Sequence, residues 1–500
     1  AACAGTPWPA GRHESLWERL LFTVFHDAVT ATHVDAAYDE LRDINAVIAA
    51  DAAALAADAL AGRRRDQEGA LTVLNPLGRP ANALVELPSG TWSVQDGAGQ
   101  ALPVVPSSDG RSAVRVADVP ALGAATVRIQ QSTAPAVRTL EQPVIRNRRY
   151  EVQADQNGIT SIRDLALGRV IARRGVLSPG EFVLESDIGS PWATLEPAGD
   201  PMPLGRHTRL VAAEAGDGWQ RLRFVMEGWG NTFRGLHGGM RGVDITSEVL
   251  LVDGLDRVEF RSVIDWDNYN VRLRQAFPTT LWNGAAWYGV PYGMLPRDPY
   301  PAEYGWSTAN GDHPAIEWAG VQADDLSVAV LDAGTPSYRI RRGVIEVSLL
   351  RSPSVPTFLH EPVSYSMTGF DGMRDAGRHE FRLALTSYDR PFAQSTVVHD
   401  AEAFNHVFTA RPGVITPWPT PQITGEGVRL GALTRLGDRL LLRLAETRGV
   451  AGEAVLTLPP GMKTAERSDL RGQGRTPLTV TGGTVRVPLR AWEITTVLVG

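Results

Sequence analysis

The sequence predicts a mainly β protein that begins with a short α-helical segment. From about residue 69 onward, short runs that alternate apolar and polar residues are separated by turn residues, as in SAVRVADVP at 112–120 and ATVRIQ at 125–130. Such alternation is typical of antiparallel strands. The 50 glycines and 34 prolines supply the turns that many short strands require.

The first 62 residues have a helical period instead. In the first predicted helix, apolar residues recur three and four positions apart and share one face: Trp17, Leu20, Leu21, Val24 and Phe25. The pattern breaks near 30–32, and a second helix is predicted from about 33 to 61, before Gly62 and three arginines. At 1.5 Å per residue this helix is about 42 Å long, a length typical of one rod in an antiparallel bundle.

Composition divides the chain into four regions. We predict a partial helical bundle at 1–65, a small β domain at 66–140, a large β-sandwich domain at 141–410 and a C-terminal β domain at 411–500. Proline-containing stretches at 131–143 and 410–422 are the predicted joints. The third region is too long for a sandwich of immunoglobulin size.

Charge and composition exclude several classes of protein. The net charge of -7 weighs against a nucleic-acid binder, which would show a basic face, and no continuous apolar run reaches the length of a membrane span. Cys3 is the only cysteine, so no internal disulfide is expected and a cytoplasmic location is predicted. Lys463 is the only lysine, which suggests a G+C-rich bacterial source. The chain starts without methionine or a visible signal peptide, and we expect it to belong to a longer protein.

The first candidate site is His26 with Asp27, near the end of the first helix. Histidine is a common metal ligand, and an adjacent carboxylate can orient the ring or bind sugar hydroxyls. By spacing alone, a cap or surface pair is the more ordinary interpretation. His33, Val34 and Asp35 have a His-x-Asp pattern, which we interpret as the start of a helix rather than a metal site.

Two further features could bind or cleave a carbohydrate. An aromatic-rich run could stack on sugar rings or simply fill the core of a sandwich; it comprises Trp266, Tyr269, Phe277, Trp282, Trp287, Tyr288, Tyr292, Tyr300, Tyr304, Trp306 and Trp318. Two pairs of acids, Asp265 with Asp267 and Asp324 with Asp325, have the residue type that glycosidases use in pairs. Such pairs also arise by chance, so they are weak candidates.

The segment LWERLLFTVFHDAVTATHVDAAYDEL at 16–41 resembles the helical bundle of glycoside hydrolase family 38 α-mannosidases. Stretches at 71–80, 150–170, 258–279, 347–356 and 375–385 resemble the β domains of the same family, in the same order. The resemblance implies that the large domain is a galactose-mutarotase-like antiparallel sandwich, flanked by smaller β domains.

The resemblance also implies a function: retaining hydrolysis of terminal α-mannosides by an exo-α-mannosidase that carries one zinc ion. By position, His26 matches a metal ligand and Asp27 matches an acid that contacts the sugar. The nucleophile and the other ligands belong to an N-terminal barrel that this sequence does not contain. We therefore expect zinc, an α-mannoside or oligosaccharide and the barrel as partners, with a homo-oligomer possible and neither nucleic acid nor membrane.

Two alternatives stay open at this point. The chain could be a non-catalytic carbohydrate-binding or scaffold protein, which the aromatic run would favour. It could also be one chain of a split mannosidase whose barrel is encoded separately.

Overall fold

The computed structural model describes residues 8–29, 35–107, 110–133, 137–187, 200–229, 242–268, 271–298, 311–352, 375–406 and 408–500. Its helices are α1 (Ala10–Thr23), α2 (His26–Val29), α3 (Asp35–Ala61) and α4 (Val397–Asn405), with short 3-10 turns at Gly205–His207 and Phe392–Gln394. The two long N-terminal helices confirm the helical period of the first 62 residues. His33 and Val34 lie outside the described residues.

Helices α1 and α3 pack side by side in opposite directions. Two exposed ion pairs join them, Arg12 to Asp58 at 2.9 Å and Arg19 to Asp51 at 3.2 Å. Exposed pairs of this kind add little stability, so apolar contacts must supply most of the attraction. In a pair of helices, each helix covers only one face of the other. Much of the surface of α1 therefore stays in contact with solvent.

Helix α3 is apolar on average, although it contains no long continuous run of apolar residues. Over an 18-residue window its mean hydropathy is 1.6, so by length and composition it could cross a membrane. Its alanines raise the mean without forming an unbroken run of large apolar residues. This is weak evidence for a membrane segment, because the core helix of a soluble protein passes the same test.

The first β domain folds into two small sheets around a valine- and leucine-rich core. One has the order β29-β2-β8-β4-β5 and the other β3-β7-β6. The strands up to this point are β1 (Arg64–Arg65), β2 (Ala70–Leu74), β3 (Ala81–Glu86), β4 (Trp92–Gln95), β5 (Ala101–Leu102), β6 (Val104–Pro106), β7 (Ser112–Val119) and β8 (Ala124–Gln131), and β29 is Thr409–Pro412.

The large sandwich contains three sheets. Its first strands are β9 (Arg138–Thr139), β10 (Val144–Arg146), β11 (Tyr150–Asp155), β12 (Gly158–Asp164), β13 (Arg169–Arg173), β14 (Glu181–Ser186), β15 (Met202–Pro203), β16 (Thr208–Gly216), β17 (Trp219–Trp229), β18 (Gly242–Val252) and β19 (Val258–Asp267). Its later strands are β20 (Val271–Pro278), β21 (Ala285–Val290), β22 (Gly293–Pro296), β23 (Asp312–Pro314), β24 (Trp318–Gln322), β25 (Ser327–Asp332), β26 (Ser337–Arg341), β27 (Val344–Ser352) and β28 (Gly377–Tyr388).

The ten-stranded sheet of this sandwich has the order β22-β21-β24-β25-β28-β19-β18-β17-β16-β9. The other two sheets are β15-β14-β20-β27-β26-β23 and β10-β11-β12-β13. Their inner faces share the largest apolar core of the molecule, to which Trp266, Phe277 and Tyr288 belong. Every strand pair in the described residues is antiparallel, for example β18 with β19 and β20 with β27, as the sequence predicted.

The last part of the chain returns to the first β domain before it forms a domain of its own. Strand β29 pairs with β2, and β30 (Val414–Ile415) pairs with β1. The predicted boundary between 410 and 411 therefore falls inside β29. The C-terminal domain has sheets β31-β34-β38-β37 and β32-β33-β39-β35-β36. These are β31 (Gln422–Thr424), β32 (Val428–Leu436), β33 (Arg439–Glu446), β34 (Gly452–Thr457), β35 (Ala465–Ser468), β36 (Thr476–Leu478), β37 (Val480–Thr481), β38 (Thr484–Leu489) and β39 (Ile494–Val499).

Helix α4 interrupts what the sequence analysis treated as uninterrupted β structure. Its apolar residues Val397, Val398, Ala401 and Phe404 are buried against strands of the sandwich. The spacing of these residues is helical, but nine residues are too few for a strong periodic signal. The Thr396 hydroxyl donates to Asp400 at 2.7 Å, which ties the first turn together.

A network of buried charges covers the face of the six-stranded sheet that points away from the core. Arg274 is fully buried and contacts Glu185 and Asp312, each at 2.7 Å. Burial lowers the pKa of Arg274, but the two carboxylates outweigh burial and hold it above its usual range. Arg339 joins the network through Glu185 and Glu346. Each buried charged group thereby receives from its partners the hydrogen bonds that water would otherwise provide.

We predict that Arg274→Met lowers the free energy of unfolding by about 3 kcal/mol, because Glu185 and Asp312 lose a cation inside the protein. Urea unfolding followed by tryptophan fluorescence measures the change. The matched control is Arg486→Met, since Arg486 forms an exposed pair with Glu453 and its loss should cost less than about 1 kcal/mol. Equal stability changes in the two variants would contradict this account of the network.

Candidate functional site

His26 and Asp27 lie in α2, directly after α1. Helix α1 ends at Thr23, and the chain turns through Val24 and Phe25 into the single turn of α2, with Phe25 N–H bonded to Phe22 O at 3.2 Å. His26 Nε2 lies 3.3 Å from Asp27 Oδ2, and the two side chains are 72% and 51% exposed. The two side chains are therefore adjacent and open to solvent, so groups from another surface could reach them.

The same region exposes an unusual amount of apolar surface. We call the exposed apolar residues of α1, α2 and their joint the helix surface; they are Trp17, Leu20, Leu21, Phe22, Val24, Phe25 and Val29, each between 36% and 67% exposed. The Phe25 ring lies 4.1 Å from the His26 ring, so the polar pair adjoins this surface. Apolar surface of this kind in one place marks an interaction site more often than a free surface.

His26 and Asp27 do not by themselves form a zinc site. The part of the chain that the structure describes contains no group of three His, Cys, Asp or Glu residues that could hold a metal ion. A catalytic zinc ion usually has three protein ligands and a water molecule. His26 and Asp27 are two side chains at most, so a zinc ion bound there would need at least one further protein ligand.

Most of the described residues in the aromatic run belong to the core. Trp266, Phe277, Tyr288 and Trp318 are buried, and Trp266 Nε1 donates to Ser352 Oγ at 2.7 Å. The alternative in which these rings fill a sandwich core is thus correct for them. Trp287 and Tyr292 are half-buried. Trp282 is 62% exposed, and the Arg342 guanidinium lies 5.9 Å from its ring centre. Tyr269, Tyr300, Tyr304 and Trp306 lie outside the described residues.

The two acidic pairs lie on the surface of the sandwich. Asp324 and Asp325 are exposed in the turn before β25, and Asp325 binds Arg169 at 2.7 Å. On β19, Asp265 is exposed and Asp267 is half-buried, while Trp266 between them points into the core. These positions are typical of solvated turn and strand residues.

Strand register adds neighbours to Asp265 that the sequence analysis missed. Asp265 is opposite Asp244 on β18, which is opposite Glu227 on β17. All three line an open groove on the ten-stranded sheet, together with Arg223 and Arg378. The register of three consecutive strands brings these residues into one row, and no local sequence signal indicates that register.

Two family models match the chain in sequence order. The "Glycosyl hydrolases family 38 C-terminal domain" matches residues 145–358, and the "Glycosyl hydrolases family 38 C-terminal beta sandwich domain" matches residues 428–497. Together the two matches cover more than half of the chain. The chain belongs to glycoside hydrolase family 38. The sequence resemblance that first suggested the family is thereby confirmed.

Curated relatives of this family 38 chain are named as α-mannosidases. It is 28% identical to "Alpha-mannosidase 2C1" of Mus musculus over 83% of this chain and 37% of the mouse protein. Identity to "Alpha-mannosidase 2C1" of Homo sapiens is 26%, over 88% of this chain and 41% of the human protein. The chain therefore spans about two fifths of the length of these relatives.

A solved structure confirms the fold. The chain superimposes on an α-mannosidase from Enterococcus faecalis with a TM-score of 0.76 at 16% identity, over 98% of this chain and 63% of the other. A second family 38 protein from Enterococcus faecalis gives a TM-score of 0.77 at 14% identity, over 98% and 66% of the two chains. The helical segment and the β domains of this family 38 chain are thus arranged as in these two structures.

We predict that the purified 500-residue family 38 chain retains far less than one zinc ion per chain after dialysis, because His26 and Asp27 are too few ligands. Elemental mass spectrometry of the dialysed protein measures the zinc content. The comparison is His26→Ala, which should hold the same small amount. One full equivalent in the unaltered chain that disappears in His26→Ala would show that the chain contains a complete site.

Proposed function

We propose that this chain is the C-terminal part of a retaining, metal-dependent exo-α-mannosidase that hydrolyses terminal α-mannosides. The observation that carries this proposal is the ordered match of two family 38 C-terminal domains, in a chain whose curated relatives are named α-mannosidases. In this proposal the enzyme belongs to the cytoplasm of a bacterium, which the arginine-rich composition and the single cysteine support.

The exposed apolar residues of the helix surface favour the proposal that another portion of the enzyme covers them. Apolar side chains that remain half exposed gain stability when another surface covers them, by up to about 1.5–3 kcal/mol for each large residue. The relatives contain more than half of their length beyond the part that this chain matches. In the proposal, the catalytic barrel belongs to that portion and packs on the helix surface, in the same chain or as a separate one.

His26 and Asp27 have distinct roles in this proposal. His26 supplies one imidazole ligand to a zinc ion whose other ligands belong to the barrel, and Asp27 accepts hydrogen bonds from hydroxyl groups of the terminal mannose. Their position supports this division, because both side chains are accessible at the edge of the helix surface. The nucleophile and the acid/base of a retaining glycosidase must lie about 5–5.5 Å apart, and we place both carboxylates in the barrel.

We predict that the chain alone does not release the leaving group from an aryl α-mannoside in the presence of zinc. Joined to the N-terminal portion that its relatives carry, it should do so, because the barrel supplies the missing carboxylates and ligands. In the joined protein, His26→Ala should abolish both turnover and stoichiometric zinc, while His207→Ala in the sandwich should change neither. Full zinc occupancy in His26→Ala would exclude the ligand assignment, and turnover by the chain alone would place the nucleophile in this chain.

We also predict that the double substitution Leu21→Glu and Phe22→Glu prevents the two portions from assembling, because it puts two charges on the helix surface. The isolated chain should keep its stability to within about 0.5 kcal/mol, since both side chains are already exposed. Co-purification of separately tagged portions measures assembly. The control is Val176→Glu, a fully exposed position on the sandwich. Normal co-purification of the double variant would show that the barrel packs elsewhere.

A further inference from the structure

A cavity whose lining includes neither His26 nor Asp27 opens where three parts of the molecule meet. It has a volume of about 610 Å³ and lies between the first β domain, the large sandwich and helix α4. Arg79, Asp256, Arg257, Tyr388, His399 and Asp400 are among the residues that line it. The volume is within the range of small-molecule sites, but the lining is more polar than apolar.

Arg79 differs from the other arginines around this cavity. Each of the others has a carboxylate partner: Arg148 with Asp256, Arg149 with Asp164, Arg257 with Glu259 and Arg390 with Asp389. Within the residues that the structure describes, no carboxylate lies within 4 Å of the Arg79 guanidinium. Burial lowers the pKa of Arg79, and the more distant charges of Glu402 and Asp400 offset this effect only in part.

The hydrogen bonds of Arg79 leave one side of the guanidinium available. Its Nη2 donates to His399 Nε2 at 2.6 Å and to Val428 O at 3.3 Å. In the described part of the chain, Nε and Nη1 have no hydrogen-bond partner, and neither atom is buried. Of the five N–H donors of a guanidinium, the three on Nε and Nη1 are therefore free to bind an acceptor.

His399 holds this guanidinium in place without cancelling its charge. Because Nε2 accepts a bond from Arg79, the neutral ring carries its proton on Nδ1. Burial, reinforced by the charges of Arg79 and Arg429, holds the pKa of His399 well below its usual range. A neutral imidazole neither repels an incoming anion nor satisfies the arginine electrostatically.

Asp400, the residue after His399 in α4, offers the cavity a hydrogen-bond acceptor. Asp400 Oδ2 accepts from the Tyr388 hydroxyl at 2.9 Å and from the Thr396 hydroxyl at 2.7 Å. Burial raises the pKa of Asp400, and no arginine lies within ion-pair distance of it in the described residues. A ligand in the cavity would meet both a cation at Arg79 and a carboxyl group at Asp400, so it needs an anionic group and hydroxyl groups.

We propose that this cavity binds a small phosphorylated polyol, with its phosphate group on Arg79 and its hydroxyl groups toward Asp400. Phosphate oxygens are strong acceptors for guanidinium N–H groups and provide the counter-ion that Arg79 lacks. The cavity is large enough for a hexose phosphate and much larger than a phosphate ion. The site does not depend on the mannosidase proposal, because it uses neither His26 nor Asp27.

Titration calorimetry on the 500-residue chain tests the proposal with glucose 6-phosphate, inorganic phosphate and glucose as probes. We expect saturable binding of glucose 6-phosphate, weaker binding of phosphate and no binding of glucose. Arg79→Gln should weaken glucose 6-phosphate binding about 10- to 100-fold, the effect of losing a charged hydrogen bond. The matched control Arg486→Gln removes an exposed arginine of the C-terminal domain that does not line the cavity, and this variant should bind glucose 6-phosphate normally.

A measurement on the unaltered chain guards against a variant that fails to fold. Phenylglyoxal modifies accessible arginines, and glucose 6-phosphate should protect Arg79 from it, as peptide mass spectrometry would show, without protecting Arg486. Equal affinity for phosphate and glucose 6-phosphate would overturn the polyol part of the proposal. Absence of saturable binding by either anion, or unchanged binding in Arg79→Gln, would overturn the site itself.

Discussion

The arrangement of the domains depends on the return of residues 409–415 to the first β domain. Buried Thr72 secures this return, since its hydroxyl donates to Gly413 O at 2.8 Å and accepts from Ile415 N–H at 3.2 Å. Gly413 has a φ of +88°, and a side chain there would lie 2.6 Å from Arg65 O. Only glycine permits so close an approach. The end of the helical segment, the first β domain and the entry to the C-terminal domain are thereby joined at one point.

This junction also brings together the residues around the Arg79 cavity. Arg429, at the start of the C-terminal domain, binds Glu317 of the sandwich at 2.7 Å and Glu402 of α4 at 3.0 Å. The next residue back, Val428, supplies the carbonyl that Arg79 contacts. Arg79 thus reaches α4 and the C-terminal domain from a turn of the first β domain. Its position depends on contacts between parts of the chain that are more than 300 residues apart.

The sequence contained enough local information for the two long helices, the antiparallel strands and the family, and too little for the groove and the cavity on the β domains. The period of Trp17, Leu21 and Phe25 identified α1, and alternation identified strands such as β7 and β8. Helix α4 was missed because nine residues carry too few turns. The row of Glu227, Asp244 and Asp265 and the cavity at Arg79 depend on strand register and domain packing. No local pattern encodes these contacts, whereas His26 and Asp27 are neighbours in the chain and could be paired as a candidate from the sequence, with their roles proposed from the family resemblance.

The two exposed features of this chain call for different partners on physical grounds. The helix surface is apolar, convex and spread over two turns of α1 and beyond, so only a surface of comparable size can remove it from water. Arg79 is a cation without an ion-pair partner among the described residues and lies in a concave, polar cavity, where a large apolar partner would leave the charge unsatisfied. A small anion satisfies that charge and leaves the domain contacts intact. The helix surface is therefore suited to a protein domain, and the cavity to a small molecule.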